Sequence, residues 1–371
     1  MTSDQVSRGG ERYAATGFQM IRSIDVRNFR CYKSLQLSGF ERLNVIVGDN
    51  GSGKTALLES IFLPLGNSTE LGMRLRTQRG LDGFLGGTPS AIEEAVWGDF
   101  FYASDMNEPI SLTIEGDGPE SRSLQMARGR KGGAVLPLGT NPADQFPYSI
   151  APVTFTWQDA QKATYTVDPQ IGPQGMFLGN TGENSPDYFY FFASNTPVGS
   201  IENATRFSTL SKANKHRQFV KTFTKEFPWI DDLNVEVHAG APVIFGSLKD
   251  SGVRLPLPNI SSGINRTIGM FLAMAMRPKS IVIIDEIENG IYYEHMDAIW
   301  RSLLRFMREY DCQVIATTHS RECLVSLANA SGKNVSDIAL WRTERSTEGH
   351  TVSRFSGEDF NLAMEYGQEI R

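Results

Sequence analysis

Eight residues, Gly48-Asp49-Asn50-Gly51-Ser52-Gly53-Lys54-Thr55, constrain this chain more than any others. They follow the apolar run Leu43-Asn44-Val45-Ile46-Val47 and precede Ala56-Leu57-Leu58-Glu59-Ser60-Ile61-Phe62, a helix-favouring stretch. The spacing G-x-x-x-x-G-K-[ST] between a strand and a helix is that of a phosphate loop. Glycines let the backbone curl until successive N–H groups face an anion, and the helix N-terminus adds partial positive charge. The pattern predicts a nucleoside triphosphate site built from Asn50, Gly51, Ser52, Gly53, Lys54, Thr55 and Ala56. Lys54 would reach the β- and γ-phosphates, and the Thr55 hydroxyl would take one position on Mg2+. A glycine turn that merely contains Lys-Thr is a poor alternative with that strand and that helix on either side.

A second constellation lies far downstream. Ile281-Val282-Ile283-Ile284 is an unbroken apolar run, the pattern of a buried parallel strand, and it ends in Asp285-Glu286. Acids at that end of a strand stand where open α/β sheets present ligands. Asp285 is expected to hold Mg2+ through a water as the partner of Thr55. Glu286 is expected to polarise the attacking water. A solvated acidic turn is the plain alternative, and the upstream phosphate loop weighs against it. Glu288 follows at alternate spacing and receives no role. Gln313-Val314-Ile315-Ala316-Thr317 reads as the next buried strand, and Thr318-His319-Ser320 places an imidazole where it would hydrogen-bond the γ-phosphate. Lys54, Glu286 and His319 are the candidate catalytic residues; Thr55 and Asp285 are the metal set.

The bulk properties exclude several classes. With 371 residues, 40% of them apolar and 21% charged, the chain can bury a sizeable core. A formal net charge of −6 means that any nucleic-acid contact needs a local basic surface. Cys31, Cys312 and Cys323 lack metal-ligand spacing and read as reduced thiols. No apolar run reaches membrane-spanning length and the polar start is no signal peptide, so a cytoplasmic protein without membrane contact is expected.

Residues 1–18 read as a flexible leader and 19–371 as one α/β domain, with 65–255 as an intervening lobe. Within it, 110–114, 153–157 and 164–167 read as strands, 116–133 as a mobile basic loop, and 207–227 as an amphipathic helix. A loop opening a helix is expected over 260–276, and Met270, Phe271, Met274 and Met276 are expected in the core.

These pieces resemble the ABC-type ATPases of the SMC/RecF/OLD branch, in particular its compact bacterial AAA ATPases. The matching stretches are Ile24-Asp25-Val26-Arg27-Asn28-Phe29-Arg30, the phosphate loop, Asp285-Glu286-Ile287-Glu288-Asn289-Gly290 and Thr317-Thr318-His319-Ser320. Ile260-Ser261-Ser262-Gly263-Ile264-Asn265-Arg266 looks like a degenerate ABC signature, although a serine-capped helix start is its plain reading. The resemblance implies an ABC-ATPase-like nucleotide-binding domain with a mixed central sheet and an inserted α/β middle lobe. It implies ATP and Mg2+ as cofactors and Arg30 near the phosphates. It further implies a head-to-tail homodimer or higher homo-oligomer, with Ser261 and Gly263 of one copy meeting the γ-phosphate held by the other.

The chain departs from that family at Ile264, at Tyr292, and at Phe192-Ala193-Ser194-Asn195, where no Q-loop glutamine stands; Gln78 and Gln158 are the remaining candidates. It carries no Toprim-like nuclease segment, so it is not expected to cut DNA itself. By resemblance it would be the ATPase or sensor subunit of an anti-phage defence system, controlling a separately encoded effector such as a nuclease or toxin. Two alternatives stay open. One is a slowly hydrolysing scaffold that sequesters a partner protein. The other is a RecF-like DNA clamp using Arg74, Arg76, Arg79, Arg122, Arg128, Arg130 and Lys131, for which a solvated face is the plainer reading.

Overall fold

All five residues of Leu43–Val47 are buried, as a strand covered on both faces requires. A computed structural model describes residues 20–81, 89–117, 121–129, 133–135, 148–150, 153–159, 161–172, 175–179, 188–196, 198–368 and 370. In it, Leu43–Val47 lies inside a six-stranded sheet ordered Phe189–Phe192, Ile281–Ile284, Gln313–Thr317, Leu43–Val47, Ile338–Ser346 and Gly349–Ser356. The first five run parallel, and the last folds back as an antiparallel hairpin strand.

The two-residue period of the strands divides their apolar side chains between two cores. Val45, Val47, Val282, Ile284, Val314 and Ala316 face one core, which the helices Ser262–Met276, Met296–Glu309 and Arg321–Ser331 fill with Phe271, Trp300, Phe306 and Leu324. Ile46, Ile281, Ile283 and Ile315 face the other. That side holds the helix Lys54–Leu65 and a second, wholly antiparallel sheet ordered Tyr32–Ser38, Ile21–Phe29, Ile110–Gly116, Ser121–Arg128, Val153–Gln158 and Thr164–Val167. Lys54–Leu65 is buried almost all round, because it is sandwiched between the two sheets. Truncating a fully buried side chain there, such as Leu58, costs about 2–5 kcal/mol.

Two buried amides stitch the layers. The Gln313 side chain accepts the Ile21 N–H at 2.8 Å and donates to the Ile21 and Glu41 carbonyls at 2.9 Å each, tying the central sheet to the antiparallel one. Asn44, in the middle of the phosphate-loop strand, accepts from the Glu41 N–H and Trp341 Nε1 and donates to the Glu41 carbonyl. Both are satisfied, so neither carries the penalty of a lone buried polar group.

Two expectations change, and one unassigned segment proves to be a strand. Residues 121–128, placed in a mobile loop, form a strand paired on both sides; Leu124 and Met126 alternate into the core behind their polar neighbours. The helix expected over 207–227 is two helices, Ser200–Lys212 and His216–Glu226, because Asn214 turns the chain at φ 57°. Phe189–Phe192 is an edge strand of the central sheet. The 1–18 leader, Arg130 and Lys131 lie outside the described residues. Among those described, no helix is long and apolar enough to cross a membrane.

Candidate active site

The phosphate loop leaves Leu43–Val47 with Gly48, Gly51 and Gly53 at φ 143°, 77° and 105°. At Gly48 a side chain has no room: a Cβ would collide with the carbonyl oxygen and hydroxyl of Thr343. Thr343 donates its own hydroxyl to the Val47 carbonyl at 3.0 Å and stands 2.6 Å from the Ser52 hydroxyl. His350 on the following strand has Nε2 3.3 Å from the Gly51 carbonyl oxygen, so the hairpin Ile338–Ser346 and Gly349–Ser356 braces the loop. Lys54 opens the helix, with its ammonium donating to the Gly48 and Asp49 carbonyls at 2.7 and 2.9 Å. Burial lowers the Lys54 pKa, while Glu286, Asp285, Glu288 and Asp49 oppose that shift.

The neighbouring strand ends face this loop. Thr55 Oγ1 lies 3.4 Å from each carboxylate oxygen of Asp285. The Thr317 hydroxyl donates to Asp285 Oδ1 at 2.7 Å and accepts the Glu286 N–H at 2.7 Å. Glu286 sits at φ 50°, so the chain turns sharply out of the strand just where the second acid is needed. His319 Nδ1 is 3.9 Å from Glu286 Oε1 and 3.1 Å from Glu288 Oε1. Behind the acids, buried Arg266 donates to the carbonyls of Asp285 at 2.6 Å, Glu286 at 3.4 Å and Ser194 at 3.3 Å. Burial lowers the Arg266 pKa, and Asp285, Glu286 and Glu288 push it back up.

Comparison with known proteins agrees with this geometry. The family model described as "AAA ATPase domain" matches residues 20–90, and the one described as "AAA domain, putative AbiEii toxin, Type IV TA system" matches residues 190–325. An ATP/GTP phosphatase of Helicobacter pylori is 22% identical over 337 residues, which cover 82% of this chain and 86% of that one. Structural maintenance of chromosomes protein 6 of Saccharomyces cerevisiae is 28% identical over 225 residues, 58% of this chain but only 20% of that much longer protein. In fold, the chain superposes on the Smc head solved bound to the C-winged helix domain of ScpA, with a TM-score of 0.50, 14% identity, and coverage of 93% of this chain and 99% of that one. Together these matches support an SMC/RecF-like AAA ATPase.

In this ATPase the residues expected to carry chemistry fall into three groups. Lys54, Thr55, Asp285, Glu286 and His319 share one cluster at the ends of adjacent strands. Arg30 is turned elsewhere in this conformation. At φ 53°, it directs Nε to Glu59 at 3.0 Å and Nη1 to Asp99 at 2.6 Å, over the Phe100 ring. Ser261 caps the helix Ser262–Met276 by accepting the Ile264 N–H at 3.4 Å, and a Cβ on Gly263 would collide with the Gly290 carbonyl. The signature-like segment therefore packs on the turn that follows the acids. No hydrogen bond among the described residues joins it to residues 48–55.

Three residues that touch this cluster, Ser194, Arg266 and Glu288, received no role from the sequence. Ser194 Oγ lies 3.4 Å from Asp285 Oδ2, at the segment where a glutamine was sought. Arg266 and Glu288 stood within quoted motifs, but only the fold shows what they hold. Of the candidate DNA-contacting arginines, Arg76 is buried and donates to the Ala95 and Val96 carbonyls, Arg79 pairs with Glu59, and Arg74 pairs with Glu70.

Proposed function

We propose that this ATPase is a nucleotide-driven switch: two copies close head to tail over two Mg2+–ATP molecules, and hydrolysis lets them part. One observation carries the reading. Three adjacent parallel strands, Leu43–Val47, Gln313–Thr317 and Ile281–Ile284, deliver Lys54 and Thr55, Thr317 and His319, and Asp285 and Glu286 to a single cluster.

The residues suit the cofactor. The Thr55 hydroxyl and the Asp285 carboxylate are hard oxygen donors side by side, the ligand type Mg2+ prefers. When bound, Mg2+ neutralises charge on the phosphate oxygens. Lys54 and the loop N–H groups stabilise the same charge, and each well-aimed donor of this kind is worth roughly 10²–10³ in rate. Glu286, held by Thr317 through its own N–H, polarises the attacking water. Ser261 and Gly263 of the second copy complete the γ-phosphate site, a role that the serine-capped start of Ser262–Met276 supports.

The type IV toxin–antitoxin description of the matched family supports a setting in prokaryotic defence, in which the switch controls a separately encoded effector. Arg76 and Arg79 turn inward onto protein groups, which weighs against a DNA clamp. Sedimentation velocity of Glu286→Gln tests the switch. The expected result is a dimer with Mg2+–ATP, a monomer with ADP, and no dimer when Ser261→Arg is added. A Glu286→Gln protein that stays monomeric at saturating ATP overturns the head-to-tail arrangement. Full defence by that variant in cells would instead favour the slow scaffold.

A further inference from the structure

The turn after the central acids contains a carboxylate that the reaction as derived leaves unused. Glu288 is 14% exposed, and its Oε1 meets two groups of one residue: the His319 backbone N–H at 2.9 Å and His319 Nδ1 at 3.1 Å. The Ile287 N–H donates to the Thr317 carbonyl at 3.0 Å, so main chain already fastens the turn carrying Glu288 to the segment carrying His319. The second Glu288 oxygen is buried without a hydrogen-bond partner among the described residues, so solvation does not explain where this side chain sits.

An oxygen that takes both the backbone N–H and a ring nitrogen of one residue closes a small loop and leaves the imidazole little rotational freedom. A carboxylate only accepts, so a hydrogen bond at that contact requires the proton on Nδ1, and Nε2 lies on the opposite side of the ring. Glu286 Oε1 is too far from the same nitrogen, at 3.9 Å, to compete for it.

We propose that Glu288 is the positioning residue for His319: it fixes the ring orientation and the Nδ1–H tautomer, so that Nε2 meets the γ-phosphate. This rests on the reading that His319 faces that phosphate. Glu286 remains the group that acts on water, and Glu288 acts only through the imidazole.

The test uses the full chain with 15N-labelled histidine at pH 8 and follows His319, identified among five histidines by loss of its signals in His319→Gln. Wild type is expected to show His319 protonated at Nδ1. Glu288→Ala is expected to give a tautomer mixture and a kcat lowered tenfold or more, at a KM for ATP within about twofold, the scale typical of lost outer-shell orientation. Glu288→Gln keeps an accepting oxygen and is expected to recover most of both signals; it also serves as the probe should the alanine variant fail to fold. In a His319→Ala background, Glu288→Ala is expected to cost no further rate. An unchanged tautomer in folded Glu288→Ala overturns the proposal. Unchanged kcat in His319→Ala would overturn the γ-phosphate reading beneath it, and the NMR result separates that failure from loss of positioning.

Discussion

Thr317 and Asp285 are joined by a 2.7 Å hydrogen bond, and the same threonine hydroxyl accepts the Glu286 N–H. One side chain on Gln313–Thr317 therefore sets both acids at the end of Ile281–Ile284, in a register where Ile284 stands opposite Ala316.

Thr317→Val keeps the shape and removes both bonds. It leaves the Glu286 N–H unpaired, a loss of about 1–3 kcal/mol in stability. Turnover is expected to fall roughly tenfold or more as Glu286 loosens, since a small misplacement of a reacting group costs up to ~10²-fold. Thr317→Ser should restore both. Chemical denaturation and ATP turnover on the three proteins check it.

Gly48→Ala tests the cradle. The position combines φ 143° with a collision against the Thr343 backbone, which cannot swing aside as a side chain would. Strain and overpacking together are expected to cost about 2 kcal/mol or more. Nucleotide affinity should be lost, as read by fluorescence titration with a labelled ATP.

Glu59, on the buried surface of the phosphate-loop helix, lies between Arg30 at 3.0 Å and Arg79 at 2.8 Å, with its side chain 2% exposed. Glu59→Gln leaves two guanidinium groups short of their counter-charge. Arg30 keeps Asp99 and Arg79 is 36% exposed, so the loss falls below the roughly 3–5 kcal/mol of a wholly buried pair, and the melting temperature is expected to drop by a few degrees.

The cluster of candidate residues was legible where its motifs are local. A phosphate loop and an acid pair at a strand end are written in consecutive residues, so Lys54, Thr55, Asp285 and Glu286 could be named from spacing. Ser194, Arg266 and Glu288 could not, because each is defined by what another segment brings to it: Asp285 for Ser194, two strand-end carbonyls for Arg266, and His319 for Glu288. The fold shows the same division. Ile281–Ile284 announces itself as an apolar run, whereas Ser121–Arg128 hides Leu124 and Met126 among serine, arginine and glutamine.

Burial raises all three thiols from the usual 9.0: Cys31 to about 11, Cys323 to about 12, and Cys312 in the same direction. The folded pKa lies above the unfolded one, so the neutral thiol is the form that the fold favours. That contribution is present below pH 9.0 and is lost as pH climbs toward 11–12. Stability is expected to decline across this alkaline window. At pH 8, alkylation of the native protein should be slow, with thiolate near Cys31 at about one part in a thousand, and fast in denaturant. Iodoacetamide labelling followed by mass spectrometry reads both states.

Single-turnover hydrolysis by Glu286→Gln, alongside its ATP dissociation constant, tests most directly whether the far-separated acids and the phosphate loop form one catalytic site. In Glu286→Gln, γ-phosphate release is expected to slow by about 10² or more, with ATP affinity within about threefold of wild type. Wild-type release by this variant, with binding intact, would contradict it.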